Sequence, residues 1–499
     1  MSGPGADEGV EDAVVGTAAG RLAGRRRGAV TSWRGVPYAA PPVGPLRFRA
    51  PRPVEPWGGT RPATRAAAAA TQGRGLGQSA RALGAGVGED CLYLNVHAPG
   101  AALVDGRPRP VLVWLHGGAF TSGSGALYDG SRLAEEGDIV VVTVNYRLGV
   151  FGFVDFASVL DVDVPTNLGL RDQLAALRWV QQEVAAFGGD PAQVTVAGES
   201  AGSISVALLL ASAQSRGLFR AAMMQSGSLN LLHGDHTRVE VARHHARLLG
   251  LGAHDGERLR QLPAAALAAA QQQVGRDTPG TLAASPVLDG DLVPGSLAGA
   301  QRAAARPEIP LLAGHNHDEV TLFQRLPGDI MPTSRPALTA RLRAVLGWDR
   351  AGELMALYPE TRRGTVDLGT DLNFAMPTRH FAERHRAAGG DTWFYRFDAR
   401  GPLLGATHAA ELVLLWGWTG PTALVLRGRA TTGRTALGDR MRSHWTSFVR
   451  TGAPGPDWPA FTLPDRATRV FDPAGDRVAL DPAAERRRAW AGQDVTPRD

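Results

Sequence analysis

Ser200 is the residue around which the chemistry of this sequence can be organised. It lies in Gly198-Glu199-Ser200-Ala201-Gly202, one residue after the run VTV and one residue before the run ISVALLL. The β-branched run suits a buried strand, and the apolar run suits a helix. A serine at the tip of a sharp strand-to-helix turn forms a nucleophile elbow, where glycines allow neighbouring backbone to approach closely. The pattern therefore predicts a nucleophilic serine facing the N-terminus of the following helix.

The five-residue pattern alone is weak evidence, because glycine makes up 62 of the 499 residues. That composition gives roughly 0.3 matches to G-x-S-x-G by chance. The flanking strand and helix favour catalysis over an ordinary glycine turn, and so do the candidate partners found downstream.

A nucleophilic serine needs a base that accepts its proton and a third group that orients the base. In folds built on this elbow the chain order is nucleophile, acid, histidine. The segment IPLLAGHNHDEVTLF supplies two candidate acids, Asp318 and Glu319, shortly after a predicted strand. Further on, His408 lies in the glycine-flanked loop of GPLLGATHAAELVLL. The other downstream histidines precede the acid, adjoin it or lie in helical patterns, so His408 is the predicted base.

The negative oxygen that forms during acyl transfer needs preorganised N–H donors. One predicted donor is the N–H of Ala201, the residue after the nucleophile. The others are predicted in the loop HGGAF, at Gly118 and Ala119, where small side chains let the backbone approach a substrate oxygen. Taken alone, HGGAF could equally be an ordinary glycine turn after a strand.

The elements that must position these residues alternate between strands and helices. Apolar runs at residues 110–115 and 139–145 indicate buried strands, residues 170–187 have helical spacing, and the elbow follows. Further strands are predicted at 219–225, 310–313 and 393–397. This alternation predicts an α/β fold with a mostly parallel sheet and helices on both faces. We expect one domain over 13–490 with helical insertions at about 232–305 and 331–389, a flexible N-terminus at 1–12 and a tail at 491–499.

Composition excludes several other classes of protein. No stretch of 18 apolar residues is present, so no transmembrane helix is expected, and the acidic N-terminus does not look like a signal peptide. The net charge of +5 comes from scattered arginines, which argues against nucleic-acid binding. Cys91 is the only cysteine, so no intrachain disulfide and no thiolate metal site can form, and a reducing cytoplasm is predicted.

The chain resembles the type-B carboxylesterases, the α/β-hydrolase group that includes bacterial para-nitrobenzyl esterases and cholinesterases. FGG followed by DPAQVTVAGESAG matches the elbow signature of that family, and EDCLYLNVHAP matches its second signature. RGVPYAAPPVGPLRF, NYRLGVFGF and WTSFVRTGAPGPDWP are similar to further family motifs. The resemblance implies that Ser200 is the nucleophile, His408 the base and Glu319, not Asp318, the acid.

The resemblance also implies ester hydrolysis through an acyl-enzyme, with no cofactor and no metal. It implies that Glu199 and Ser226 are buried polar residues that support the histidine. The expected partner is a small-molecule ester, with neither nucleic acid nor membrane. The oligomeric state is left open, and a monomer is compatible. A lipase, a lactonase or a carbamate-cleaving enzyme stays possible, because the insertions that shape the substrate site cannot be folded by inspection. A non-catalytic binding member of the family would lack a triad residue.

Two departures from the family pattern bear on the site. Val320 follows the acid where relatives usually have glycine, and a β-branched residue is disfavoured at positive φ, so the local turn is expected to differ. Cys91 lacks the upstream cysteine with which its family counterpart often pairs, because that segment here is AAAATQ.

Overall fold

A computed structural model describes residues 11–73, 86–326, 330–429 and 431–493 of the chain. Within them, a 13-stranded sheet has the order β1-β2-β3-β7-β9-β8-β10-β11-β12-β13-β14-β15, with β4 paired to β2, and β5 and β6 form a separate pair. From β9 to β14 in that order each strand is parallel to the next, whereas β7 is antiparallel to β9 and β15 is antiparallel to β14. The strands are β1 Glu11–Thr17, β2 Gly20–Arg27, β3 Val30–Pro37, β4 Thr60–Pro62, β5 Ala69–Ala70, β6 Val87–Gly88, β7 Tyr93–Pro99, β8 Arg109–Leu115, β9 Val140–Val144, β10 Gly189–Glu199, β11 Ala221–Gln225, β12 Leu311–Asn316, β13 Thr392–Phe397, β14 Thr468–Phe471 and β15 Arg477–Ala479.

Helices follow most of the parallel strands. A five-residue π-helical turn, Asp371–Ala375, joins α11 to α12. The helices are α1 Ser131–Gly137, α2 Gly149–Gly152, α3 Leu168–Glu183, α4 Ala201–Ala211, α5 Asp235–Leu248, α6 Gly256–Gln261, α7 Ala264–Asp277, α8 Leu297–Ala304, α9 Arg335–Leu346, α10 Trp348–Met355, α11 Arg362–Thr370, α12 Met376–Ala387, α13 Ala410–Leu415, α14 Gly420–Arg427, α15 Thr432–Thr451 and α16 Ala484–Trp490.

The central strands are apolar throughout because both faces of the sheet are covered. Successive side chains of a strand point to opposite faces. In β8, Val113 belongs to the apolar cluster that contains Leu174 of α3, whereas Trp114 belongs to the cluster that contains Trp445 of α15. Parallel sheets covered on both faces show this continuous burial. The mostly parallel sheet with helices on both faces, predicted from the sequence, is confirmed.

The boundaries differ from the sequence expectations in small ways. Strand β1 begins at Glu11, inside the segment 1–12 that was expected to be a flexible terminus, and residues 1–10 and 494–499 lie outside the described residues. Helices α5–α8 occupy the first predicted insertion, and α9–α12 with the π-helical turn occupy the second. None of the described helices is long and apolar enough to cross a bilayer.

Candidate active site

Ser200 lies at the junction of β10 and α4, at the carboxyl edge of the parallel strands. Its φ of 57° and ψ of −121° are strained for a residue with a side chain, as expected for an elbow. A Cβ at Gly198 would lie 2.5 Å from the backbone of Gly202, so the turn closes only when both positions are small. The Ser200 N–H donates to the carbonyl of Gln225 at 2.9 Å, which fixes the turn against β11.

His408 and Glu319 are brought together although 89 residues separate them. The Nδ1 of His408 lies 2.7 Å from Oε2 of Glu319, and both side chains are buried. The second carboxylate oxygen of Glu319 accepts the backbone N–H of Asn316 at 2.7 Å. One oxygen is thereby held by the backbone, and the other faces the imidazole. This contact fixes the tautomer with the proton on Nδ1, which leaves Nε2 for chemistry.

Asp318 faces away from His408 and holds the loop that carries it. Its Oδ2 accepts the backbone N–H of Ala406 at 2.9 Å, and its backbone N–H donates to the Ala406 carbonyl at 2.8 Å. Its Oδ1 lies 2.9 Å from Nδ1 of His317 and is hydrogen-bonded to Arg363. Burial opposes the charge, but hydrogen bonds from His317 and Arg363 hold the pKa of Asp318 below its usual value. Of the two candidate acids, only Glu319 contacts the histidine.

Glu199 adds a second carboxylate beside the imidazole. Its Oε1 lies 3.0 Å from Nε2 of His408, and within the described part of the chain this oxygen accepts no other hydrogen bond. Burial opposes the imidazolium, yet the charges of Glu199 and Glu319 outweigh burial and raise the pKa of His408 well above its usual value. The site therefore stabilises the protonated histidine strongly, which is the form that exists after it has taken a proton.

Two expected contacts are absent from the described residues. No hydrogen bond joins Ser200 Oγ to His408, so the serine and the base are not yet engaged in this arrangement. Unliganded sites often have such loose geometry, and it tightens when substrate binds. The hydroxyl of Ser226 is buried without a hydrogen-bond partner, so nothing here links it directly to His408.

The HGGAF loop presents unpaired N–H groups. Gly118 and Ala119 have φ of 116° and 53°, and within the described part of the chain their N–H groups, like that of Ala201, donate no hydrogen bond. The carbonyl of Gly118 instead accepts the N–H groups of Thr121 and Ser122, both at 3.0 Å, which turns the loop. Free donors of this kind are what an oxyanion site requires.

Glu411 is a buried acid that sequence reasoning missed. Its carboxyl group is hydrogen-bonded to the side-chain amide of Asn316 and accepts Nε2 of Gln225 at 3.2 Å. Burial, with the neighbouring charges of Glu199 and Glu319, raises the pKa of Glu411 to about 8. A charged residue inside the apolar run HAAELVLLWG, three positions after His408, was the available signal.

Val320 does not distort the acid's turn. It lies in a 3-10 turn, Glu319–Thr321, is absent from the residues with positive φ, and is fully buried. Val320 therefore has a backbone that a β-branched residue tolerates, and the expected difference from the turn of relatives stays a prediction. A Cβ at Gly369 would lie 3.0 Å from the Val320 side chain, so a glycine in α11 makes room for the valine. Cys91 is buried and unpaired, as predicted.

The chain is similar to carboxylesterases over nearly its whole length. Residues 11–475 match the model of the carboxylesterase family. The chain is 36% identical over 491 residues to the para-nitrobenzyl esterase of Bacillus subtilis, covering 95% of this chain and 98% of that protein. It is 34% identical to human carboxylesterase 5A, covering 88% and 81% of the two chains. A crystal structure of a Geobacillus stearothermophilus carboxylesterase matches with a TM-score of 0.84 and 36% identity over 96% of this chain and 99% of that one.

Proposed function

The chain belongs to the carboxylesterase family, and we propose that it hydrolyses carboxylic esters through Ser200, His408 and Glu319. The observation that carries this assignment of roles is the 2.7 Å contact between His408 Nδ1 and Glu319, together with the 3.0 Å contact between His408 Nε2 and Glu199, the residue that precedes the strained Ser200. A base oriented by a buried carboxylate can take the serine proton and remain in position as an imidazolium.

The reaction then follows in two halves. Ser200 Oγ attacks the ester carbonyl while Nε2 of His408 takes its proton, and the carbonyl oxygen becomes an oxyanion held by the free N–H groups of Gly118, Ala119 and Ala201. The tetrahedral intermediate collapses, and His408 returns the proton to the leaving alcohol. Water, activated by the same histidine, then releases the acid from the acyl-enzyme.

The carboxylates beside His408 supply the negative charge that stabilises a buried imidazolium. Proton transfer to His408 creates a cation away from bulk water, which would be costly unless opposite charge were already present. Glu319 and Glu199, within 2.7 Å and 3.0 Å of the ring nitrogens, supply that charge. Because they are fixed before the reaction, little reorganisation is needed at the moment of proton transfer.

For the substrate, we propose small esters, including those of benzylic alcohols, because one relative is a para-nitrobenzyl esterase. We also propose a reducing compartment such as the cytoplasm, because the single cysteine is buried and unpaired. Cell fractionation with an activity stain tests the location.

The test of the catalytic assignment is turnover of para-nitrophenyl acetate by Ser200→Ala. We expect kcat to fall by about 10⁴- to 10⁶-fold with the fold retained. The matched control is Ser212→Ala at the other end of α4, where the hydroxyl only accepts the backbone N–H of Gln214 at 3.3 Å. Normal turnover by Ser200→Ala, or an equal loss in both variants, contradicts the assignment.

A further inference from the structure

Two phenylalanines that play no part in the triad pack against the ring of His408. The ring centroid of Phe374 lies 4.7 Å from that of His408, and the centroid of Phe323 lies 4.9 Å from it. The two phenyl rings are also stacked on each other, with centroids 5.8 Å apart and planes 12° from parallel. Phe374 is 1% exposed and Phe323 is 8% exposed, so water is kept from this side of the imidazole.

Phe374 reaches the histidine from a π-helical turn. The turn Asp371–Ala375 interrupts an otherwise continuous helix formed by α11 and α12. A π turn inserts one extra residue, which shifts the following side chains by about 100° around the axis, and such turns are less stable than α-helix and concentrate at functional sites. Phe374 is the fourth residue of this turn, so contacts that hold the turn also hold the ring beside His408.

Side-chain amides donate hydrogen bonds to carbonyl groups in this turn and just before it. Nδ2 of Asn373 donates to the Gly369 carbonyl at 2.9 Å, within the same helix. Nδ2 of Asn230 donates to the Asn373 carbonyl at 2.7 Å. Asn230 lies five residues after Gln225, the residue whose carbonyl anchors Ser200. The turn is therefore tied to the nucleophile side of the site as well as to the histidine.

A polar cluster holds the first residue of the turn. The carboxylate of Asp371 is buried, accepts the hydroxyl of Tyr358 at 2.6 Å and lies 3.1 Å from NH1 of Arg486. Nε1 of Trp490 donates to the same Tyr358 oxygen at 2.7 Å. Tyr358 lies between α10 and α11, and the other two residues belong to α16 near the C-terminus. The Asp371 carboxylate thus joins the segment before α11, through Tyr358, to α16, through Arg486.

We propose that Phe374 is a positioning residue for His408, and that the cluster of Tyr358, Asp371, Arg486 and Trp490 holds the π-helical turn that presents it. The proposal rests on the role assigned to His408 above. The base must face the serine in one step and the leaving oxygen in the next, and carboxylates at the edges of the ring do not prevent it from tilting out of line. Aromatic rings packed on the imidazole restrict that tilt, and misplacement by about 1 Å can cost about 10²-fold in rate.

The first test replaces the ring itself. In Phe374→Ala we expect kcat per active site to fall by about 10²-fold with KM changed by less than about twofold, because ground-state binding is kept while alignment is lost. Phe374→Leu restores apolar volume, so its kcat should be at least about tenfold higher than that of Phe374→Ala. Active sites are counted by complete phosphonate labelling, so misfolded enzyme does not contribute to the loss. A kcat within threefold of the native value in Phe374→Ala overturns the proposal.

A comparison of esters with different acyl chains distinguishes a residue that positions His408 from a residue that contacts the substrate. Phe374→Ala should lower turnover of para-nitrophenyl acetate and para-nitrophenyl butyrate by the same factor, because the histidine is common to both. A loss confined to one acyl length means that Phe374 contacts substrate, and this overturns the positioning role. Absence of esterase activity in the native chain would be a failure of the proposed function and not of this inference.

The second test changes a residue of the cluster that lies outside the active site. Tyr358→Phe removes the hydrogen bonds to Asp371 and Trp490 without touching the active site, and we expect kcat to fall by about five- to tenfold at unchanged KM. The matched control is Tyr93→Phe on β7, which removes a tyrosine hydroxyl that donates to a carboxylate oxygen of Asp90 at 3.1 Å. The control should stay within about twofold of the native kcat. Equal kcat values in the two variants overturn the role of the cluster.

Discussion

Two amide substitutions at adjacent acids, Glu319→Gln and Asp318→Asn, distinguish the residue that orients His408 from the residue that supports its loop. Glu319→Gln places a neutral group 2.7 Å from His408 Nδ1, in a position shielded from water. The imidazolium loses its charge partner and the wrong tautomer becomes available, a change that costs about 10⁴-fold in kcat. At 1.36 kcal/mol per decade this is about 5.4 kcal/mol of transition-state stabilisation.

Asp318→Asn should act on stability instead of chemistry. Asparagine keeps one carbonyl oxygen, which can accept the Ala406 N–H, but it loses the charge opposite Arg363. We expect a loss of about 1–3 kcal/mol in the free energy of unfolding and a fall in kcat of less than about tenfold.

The assay is the hydrolysis of para-nitrophenyl acetate by both variants at matched active-site concentration, with urea unfolding of each. We expect Glu319→Gln to be slower than Asp318→Asn by about 10³-fold, and Asp318→Asn to be the less stable of the two. If Asp318→Asn has the larger effect on kcat, the assignment of the acid and the reasoning from its contact with His408 are refuted.

Three further outcomes follow from the contacts of the site and its surroundings. Glu199→Gln removes a charge that raises the pKa of His408, and the base must be neutral, so the acidic limb of kcat/KM should move to lower pH; an unmoved limb would contradict this. Gly117→Ala would place a Cβ 2.6 Å from the Glu199 carboxylate and should lower kcat/KM for acetyl and butyryl esters alike. Arg147→Met leaves the fully buried Asp172 without its partner and should destabilise the fold by about 3–5 kcal/mol in urea unfolding, and a second change, Asp172→Leu, should recover most of the loss.

The sequence predicts those parts of the site whose conformation depends on residues close by in the chain. The strand, turn and helix around Ser200 follow from VTVAGESAGSISV alone, because β-branched residues, glycines and an apolar run each favour one local conformation. His408 followed from chain order and its loop setting. The sequence left two acids as candidates, and the structure separates them because neighbouring side chains diverge, so that Asp318 and Glu319 face different partners.

The parts that depend on long-range packing could not be predicted. Glu411 lies in an apolar run with helical spacing. Its proximity to Glu199 and Glu319 follows only from the packing of α13 against β11 and β12. The π-helical turn that carries Phe374 has no local sequence signal, since Asp371–Ala375 resembles an ordinary stretch of helix. The packing of Val320 against Gly369, in a helix nearly 50 positions away along the chain, is a further contact that the sequence does not show.

Labelling with an organophosphate tests the central claim most directly. Diisopropyl fluorophosphate phosphorylates an activated serine, and peptide mapping by mass spectrometry locates the adduct. The account predicts one adduct per chain, on Ser200, with loss of para-nitrophenyl acetate hydrolysis in proportion to labelling and no adduct in Ser200→Ala. An adduct on another residue that accompanies the loss of activity, or full activity with Ser200 modified, would contradict it.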